Sequence, residues 1–328
     1  METIVKKSIE GMKFGELQVH GHVAIIPTVS VNGSGPDYLT MKEGLEGRFL
    51  RVTEVTEGGS VPELKVINQG DRPVLLLDGE ELSGAKQNRV LNTTILLKEK
   101  SETVIPVSCT EHGRWSYSSS HFEESGYIMS AKLRSVKNAS VCENLKAESV
   151  FRSDQGAVWD EIDVQARMNK VSPVTGAMKD VLEAKKQDLD AFLEHFPLLT
   201  EQNGLLVVVN GKVVGLDMIS KASAFKMLHP KLIRSYVMDA LTEKPVMTKT
   251  TPGESADAFL EKILQCSESK FDSVGYGQDY RYDGKKVVGS ALVHEGTVIH
   301  AAFFQITAAE KAGHMSSVSR RRAYRTNQ

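Results

Sequence analysis

The chain lacks the features that mark secreted, zinc-binding or membrane-spanning proteins. Its 328 residues include only three cysteines, and these have neither CxxC nor metal-ligand spacing. The sequence therefore predicts a reducing, cytoplasmic location. The amino-terminal METIVKKSIEGMKFGE has no apolar core of a secretory signal. The longest aliphatic run, Leu205 to Val209, is far too short to span a bilayer, so we expect no membrane partner.

An excess of one charge and the common catalytic motifs are missing as well. Forty basic and 42 acidic residues leave a net charge of −2, so nucleic acid is not an expected partner. No GxGxxG or Walker loop, HExxH helix or GxSxG elbow occurs. The nine histidines do not cluster like a zinc site, so we expect no bound metal, and the sequence points to no cofactor.

Short apolar segments dominate the first 118 residues. We predict a short helix at 38–45 and strands within residues 17–31, 49–55, 64–68, 74–77, 90–97 and 103–108. The short connections between them favour antiparallel pairing. We predict a polar loop for residues 119–144, which show few clean signals.

Helical patterns and hairpin signals are clustered in the second half. We predict helices at about 155–171, 176–196, 220–241 and 254–266, and hairpins 204–217 and 285–304. Because the helices do not alternate singly with strands, we predict an α+β fold with an antiparallel, β-rich amino-terminal half. Residues 306–328, which include Arg320–Arg322 and Arg325, predict a mobile basic tail.

Charged and amide side chains are concentrated between Val74 and Tyr117. Such residues beside core strands must be solvated, paired or used on a ligand. Antiparallel pairing of strands 90–97 and 103–108 would bring residues 79–92 and 109–117 together. The candidate site residues lie in these two segments: Glu80, Glu81, Lys86, Gln87, Asn88, Arg89, Asn92, Glu111, Arg114 and Trp115.

Most of these candidates have a structural alternative. Glu80 or Glu81 could accept ribose hydroxyls or act as a general base, or could pair internally with Lys86 or Arg89. Lys86 and Arg89 could neutralise phosphate, while Gln87–Asn88 could read an amide or a base edge. The same four residues could instead form a satisfied polar turn.

The second segment leaves similar alternatives open. Glu111 and Arg114 could bracket a ligand as a pair, and Trp115 could stack on a base or ribose or belong to the core. Cys109 could be a nucleophile, but a buried, inert cysteine is the commoner case, since no base is clearly positioned beside it.

The run LDGEELSGAKQNRVLNTTILL, followed by IPVSCTEHGRWSY, resembles the signature of the ARPP-1 family, the ARG and rhodanese-phosphatase-superfamily-associated protein domain. RVTEVTEGGSVPELKVINQGDRPVLLL upstream also matches, so the resemblance implies one domain over residues 10–305, which could divide into 10–118 and 145–305. The family's name implies, by association, a role in NAD-derived or ADP-ribosyl metabolism. It implies no catalytic assignment.

Two functions remain open at this point. In the first, the chain is a pocket protein for a nucleotide-like ligand of the NAD or ADP-ribose type, with hydrolysis as an option. In the second, it is a non-catalytic protein–protein interaction module whose polar residues are structural. The sequence decides neither between them nor on the oligomeric state.

Overall fold

The computed structural model of the protein describes residues 1–29, 35–56, 58–246, 250–307 and 310. The predicted basic tail lies outside the described residues except at positions 306, 307 and 310. The described helices are α1 Thr3–Glu10, α2 Met41–Glu46, α3 Ala131–Glu148, α4 Gln155–Met168, α5 Met178–Ala184, α6 Lys186–Leu193, α7 Ala222–Ala240 and α8 Pro252–Leu264.

The strands of the first half are β1 Lys13–Phe14, β2 Gln18–His20, β3 Val23–Val29, β4 Leu39–Thr40, β5 Leu50–Glu54, β6 Glu63–Asn68, β7 Val74–Leu76, β8 Glu80–Gly84, β9 Arg89–Leu91, β10 Ile95–Leu97, β11 Ser101–Cys109 and β12 Phe122–Ile128. Those of the second half are β13 Gly204–Val209, β14 Lys212–Ile219, β15 Ser267–Asp272, β16 Gln278–Asp283, β17 Val287–His294 and β18 Thr297–Gln305. The predicted α+β class is confirmed.

The largest sheet combines strands from both ends of the chain. Its order is β1-β3-β13-β14-β18-β17-β16-β15, and β2 also pairs with β3. Side chains alternate across this sheet because successive strand residues point to opposite faces. Leu205 and Val207 of β13 therefore pack with α3 and α7 on one face, whereas Leu206 and Val208 pack with α1 and α8 on the other.

Two smaller sheets complete the fold. The order β12-β8-β9-β11-β6-β5 forms a six-stranded sheet that carries the polar residues singled out in the sequence. The order β10-β7-β4 forms a three-stranded sheet in which β4 and β7 run parallel. The single strand predicted at 90–97 is wrong, because β9 and β10 belong to different sheets. Asn92–Thr94 interrupt them, and their side chains are buried in hydrogen bonds to other elements.

The predicted loop at 119–144 is also wrong, since it contains β12 and most of α3. Almost the whole first three turns of α3 are buried, and Arg134, Lys137 and Asn138 are among its buried residues. A helix buried on all sides with charged residues inside shows no apolar stripe. The helix predicted at 176–196 divides into α5 and α6, and the sequence did not predict β15 and β16.

Charged residues fill the space between α3 and the largest sheet. Both terminal nitrogens of Arg134 donate to Asp217 of β14, at 2.8 and 2.7 Å. Lys137 pairs with Asp78, which follows β7. Arg281 of β16 donates to Asp279 at 2.6 Å. All six residues are at most 2% exposed. The charges balance, three against three, and we call this set the ionic core.

A histidine connects the ionic core to the break between β9 and β10. Thr94 Oγ1 accepts from the Asp78 amide at 3.1 Å and is hydrogen-bonded to His300 Nδ1 at 2.7 Å. Because the Asp217 carboxylate can only accept, His300 Nε2 donates to it at 3.0 Å. Tyr236 donates to the other Asp217 oxygen at 2.7 Å. Asp217 therefore accepts from three different elements.

We expect Asp217→Asn to lower the free energy of unfolding by about 3–5 kcal/mol, because it leaves the buried Arg134 without its hydrogen-bonded counter-charge. Although burial alone would raise it, Arg134 and His300 hold the pKa of Asp217 well below its usual 3.8. The contribution of Asp217 to the free energy of unfolding is therefore fully present above about pH 3.8, the ordinary pKa of the group, and is lost as the pH falls below it. Urea unfolding measures the loss.

Asp71→Asn is the matched control, because Asp71 pairs with Lys100 at 2.9 Å on the surface. Exposed ion pairs add little to stability, so this variant should unfold like the wild type. Equal unfolding midpoints for the two variants would contradict the role given to Asp217.

Candidate functional site

The two segments that hold the candidate residues meet, as predicted. Strands β9 and β11 pair with Arg89 opposite Cys109 and Val90 opposite Ser108. Beyond the strand end, the Thr110 amide donates to the Asn88 carbonyl at 3.1 Å. Gln155 at the start of α4 fixes the backbone of Cys109 through hydrogen bonds of 2.8 and 2.9 Å.

Arg114 lies on one side of this junction and is fully engaged by the protein. It donates to Glu111 at 2.8 and 2.6 Å and to the carbonyls of Ala85 and Ser116 at 2.6 and 2.9 Å. Although burial alone would raise it, the bonds from Arg114 and the Asn88 amide lower the pKa of Glu111. Arg114 and Glu111 thus hold the two turns together.

A polar cavity of about 390 Å³ opens on this same side. Asn88, Glu111 and Arg114 contribute to its wall, together with Lys179 and Asp180 near the start of α5. Burial raises the pKa of Asp180, and the neighbouring Glu111 adds to that effect. The cavity brings α5 next to the two predicted segments, which the sequence did not indicate.

Arg89 differs from Arg114 because half of its guanidinium is unused. Its side chain is fully buried, and Nη1 donates to Gln87 Oε1 at 3.1 Å. Nε and Nη2 have no hydrogen-bond partner among the described residues. These two nitrogens form one edge of the guanidinium plane, which is a fork that matches a carboxylate or a phosphate.

Glu54 at the end of β5 lies near Arg89. Burial lowers the pKa of Arg89, and the negative charge of Glu54 opposes this effect. Both Glu54 oxygens are buried and have no hydrogen-bond partner among the described residues. The two side chains are therefore close enough to interact, yet they form no ion pair in the part of the chain described here.

An aromatic and a cationic side chain lie beside Arg89 and Glu54. Trp115 is 49% exposed, and its ring centroid lies 5.8 Å from Arg89 Cζ and 5.4 Å from Lys86 Nζ. Lys86 also donates to the Gly58 carbonyl at 2.7 Å. On the inner side, Cys109 Sγ donates to Gln87 Oε1 at 3.0 Å. We call this set the Arg89 corner: Glu54, Lys86, Gln87, Arg89, Cys109 and Trp115.

The other three candidates lie within the protein and away from the Arg89 corner. Glu80 is buried and accepts from the Leu77 amide at 2.8 Å and from Lys231. Glu81 accepts from Thr110 Oγ1 at 2.7 Å. Asn92 joins β9 to the segment after α3, since it donates to the Phe151 carbonyl at 3.0 Å. The catalytic role considered for the two glutamates remains a prediction.

Sequence reasoning missed Glu54. It ends an alternating strand, where a glutamate normally points to solvent. The segment RVTEVTEGGS, which contributes to the family resemblance, was the one available signal.

Among the residues that the structure describes, no group of three or more histidine, cysteine, aspartate or glutamate side chains is arranged to hold a metal ion. Nor does any helix of the described chain combine the length and apolar character needed to cross a bilayer.

The chain belongs to the ARPP-1 family. The model of this family, the ARG and Rhodanese-Phosphatase-superfamily-associated Protein domain, matches residues 11–304 and therefore includes every element from β1 to β17 and nearly all of β18. Comparisons with curated proteins and with solved structures gave no match.

We expect Glu81 to make stability depend on pH. Burial raises its pKa from 4.5 to about 7, against hydrogen bonds from Thr110 and Ser125. Because the folded protein holds this proton more tightly than the unfolded chain does, its free energy of unfolding falls as the pH rises. The decrease is about 3 kcal/mol between the unfolded and the folded pKa of Glu81. Unfolding curves at pH 4.5 and pH 8 should show a smaller decrease for Glu81→Gln than for the wild type. Equal decreases would contradict a protonated Glu81.

We also expect Cys109 to be unreactive in the folded protein. Burial raises the pKa of its thiol to about 11, although Arg89 opposes this effect. The thiolate is the reactive form, so alkylation at pH 7 should be at least about 100-fold slower than in the unfolded chain. Peptide mass mapping after timed iodoacetamide treatment separates Cys109 from Cys142 and Cys266. Rapid, stoichiometric labelling of Cys109 would contradict this expectation.

Proposed function

We propose that the protein binds a small phosphate-bearing, nucleotide-like ligand at the Arg89 corner. The observation that carries the proposal is the free edge of Arg89: a wholly buried guanidinium whose Nε and Nη2 lack partners among the described residues. An unsatisfied charged donor in the interior is costly, so proteins normally pair such groups. A ligand phosphate would satisfy both nitrogens at once.

Charge and ring geometry support the same class of ligand. Lys86 lies within 5.4 Å of the Trp115 ring and adds a second positive charge next to Arg89. Half of the Trp115 surface is exposed, which leaves a face on which a base could stack. The Lys86 ammonium, the Arg89 fork and the Trp115 ring together suit a ligand that joins a phosphate to a flat ring. They suit a purely apolar molecule less well.

We confine the proposal to binding. The hydrolytic option depends on Glu80 or Glu81, whose side chains are at most 1% exposed. The ADP-ribose or NAD identity comes from the family's name and provides the first ligands to test. The alternative, an interaction module, predicts instead that Arg89 serves only stability.

We expect Arg89→Ala to weaken binding of ADP-ribose by about 1.5–3 kcal/mol, the range for charge-assisted hydrogen bonds. Arg89→Lys should recover only part of this, because an ammonium cannot form the bidentate fork. Isothermal titration calorimetry measures the affinity, and thermal unfolding without ligand measures stability. NAD and AMP extend the test to related ligands.

Arg51→Ala is the matched control, because Arg51 is an exposed cation on the same strand as Glu54. It should bind like the wild type. A destabilised Arg89→Ala protein with unchanged affinity would assign Arg89 to the scaffold. Absence of binding by the wild type would remove the proposal altogether.

A further inference from the structure

The Arg89 corner contains an unpaired acceptor as well as an unpaired donor. Glu54 has two buried oxygens without partners among the described residues. Its charge also acts on Arg89 and Cys109, where burial has the larger effect on the pKa of each group. Direct pairing with Arg89 would satisfy both side chains, yet they remain apart. The Arg89 corner therefore contains a donor fork and two acceptor oxygens, none of which has a partner among the described residues.

A bare oxyanion suits Arg89 but not Glu54. A phosphate held by Arg89 would place its negative charge next to the Glu54 carboxylate, and like charges repel strongly where water is excluded. The two Glu54 oxygens need hydrogen-bond donors, and inorganic phosphate at neutral pH brings only its one or two P–OH groups, together with its negative charge. A ligand that joins a phosphate to hydroxyl groups supplies both, since a carboxylate accepts two hydroxyl bonds from a diol.

The chain passes close to Glu54 at a glycine, Gly59. Gly59 has φ +77°, a conformation that strains other residues. A side-chain carbon at this position would lie 3.2 Å from Lys86 Cδ and 3.5 Å from both Glu54 Oε2 and Trp115 Cζ2. Glycine thus brings the chain close to three members of the Arg89 corner without placing a side chain among them.

We propose that Glu54 is a specificity-determining residue that binds sugar hydroxyls of the ligand, so that the site selects phosphorylated sugars over phosphate alone. The inference rests on the proposed function, since it needs a phosphate on Arg89. It transfers to Glu54 the acceptor role that the sequence suggested for Glu80 or Glu81. It also predicts that the ligand's hydroxyls, and not only its charge, determine affinity.

The test titrates AMP, 2′,3′-dideoxy-AMP and inorganic phosphate into the wild type, Glu54→Gln and Glu63→Gln. Loss of the diol leaves buried acceptors unpaired, so dideoxy-AMP should bind the wild type about 10- to 100-fold more weakly than AMP. Glu54→Gln should reduce this preference at least several-fold and should bind inorganic phosphate more tightly, because it removes the repulsion. Glu63→Gln, an exposed carboxylate on the neighbouring strand β6, should behave like the wild type.

Thermal unfolding without ligand provides the readout that separates specificity from structure. A buried carboxylate without a partner costs stability, so Glu54→Gln should melt at or above the wild-type temperature. A lower melting temperature with unchanged ligand preference would make Glu54 a structural partner and would overturn the inference.

The other outcomes are equally distinct. If AMP and dideoxy-AMP bind the wild type equally well and Arg89→Ala weakens both, the phosphate proposal stands and the role of Glu54 is wrong. If none of the three ligands binds the wild type, both proposals fail together.

Discussion

Asp217 is the residue on which the rest of the fold depends. It lies at the centre of the largest sheet and accepts hydrogen bonds from α3, α7 and β18 through Arg134, Tyr236 and His300. His300 continues through Thr94 to the Asp78 amide, and Asp78 returns to α3 through Lys137. One buried network therefore ties the polar turn of the amino-terminal half to the sheet of the carboxy-terminal half.

Such a network specifies orientation more strictly than apolar packing does. Leucine and valine side chains tolerate small shifts, whereas a buried charge must find its partner at hydrogen-bond distance or destabilise the fold. The break between β9 and β10 follows from this constraint. Thr93 and Thr94 turn toward Asp279 and His300, which ends one sheet and begins another. The Arg89 corner is held at the start of β9, three residues before this break.

Local chemistry explains what the sequence could predict. The Asn210-Gly211 sequence predicted the hairpin of β13 and β14, and both residues adopt the positive φ that a type I′ turn requires, at 49° and 72°. The junction of residues 79–92 with 109–117 followed from strand order and short connections. Arg89 was chosen because long polar side chains crowd one turn. Each of these signals lies within a short stretch of chain.

Distant partners explain what the sequence could not predict. Arg134 and Lys137 make α3 look like a polar loop, since their counter-charges lie on β14 and after β7. Glu54 looks like an exposed strand residue until the fold places it opposite Arg89. The unused edge of Arg89 is likewise invisible in the sequence, because it depends on which neighbours fail to reach it.

The arrangement of the largest sheet also has a consequence for how the protein folds during synthesis. Strand β3 is made early, but its inner neighbour is β13, which spans Gly204–Val209. Val23–Val29 must therefore wait for most of the chain to leave the ribosome before that edge is paired. Contacts so distant in sequence slow folding and leave apolar strands exposed in the meantime. Until β13 is available, the buried residues of β3 lack the strand that covers that edge.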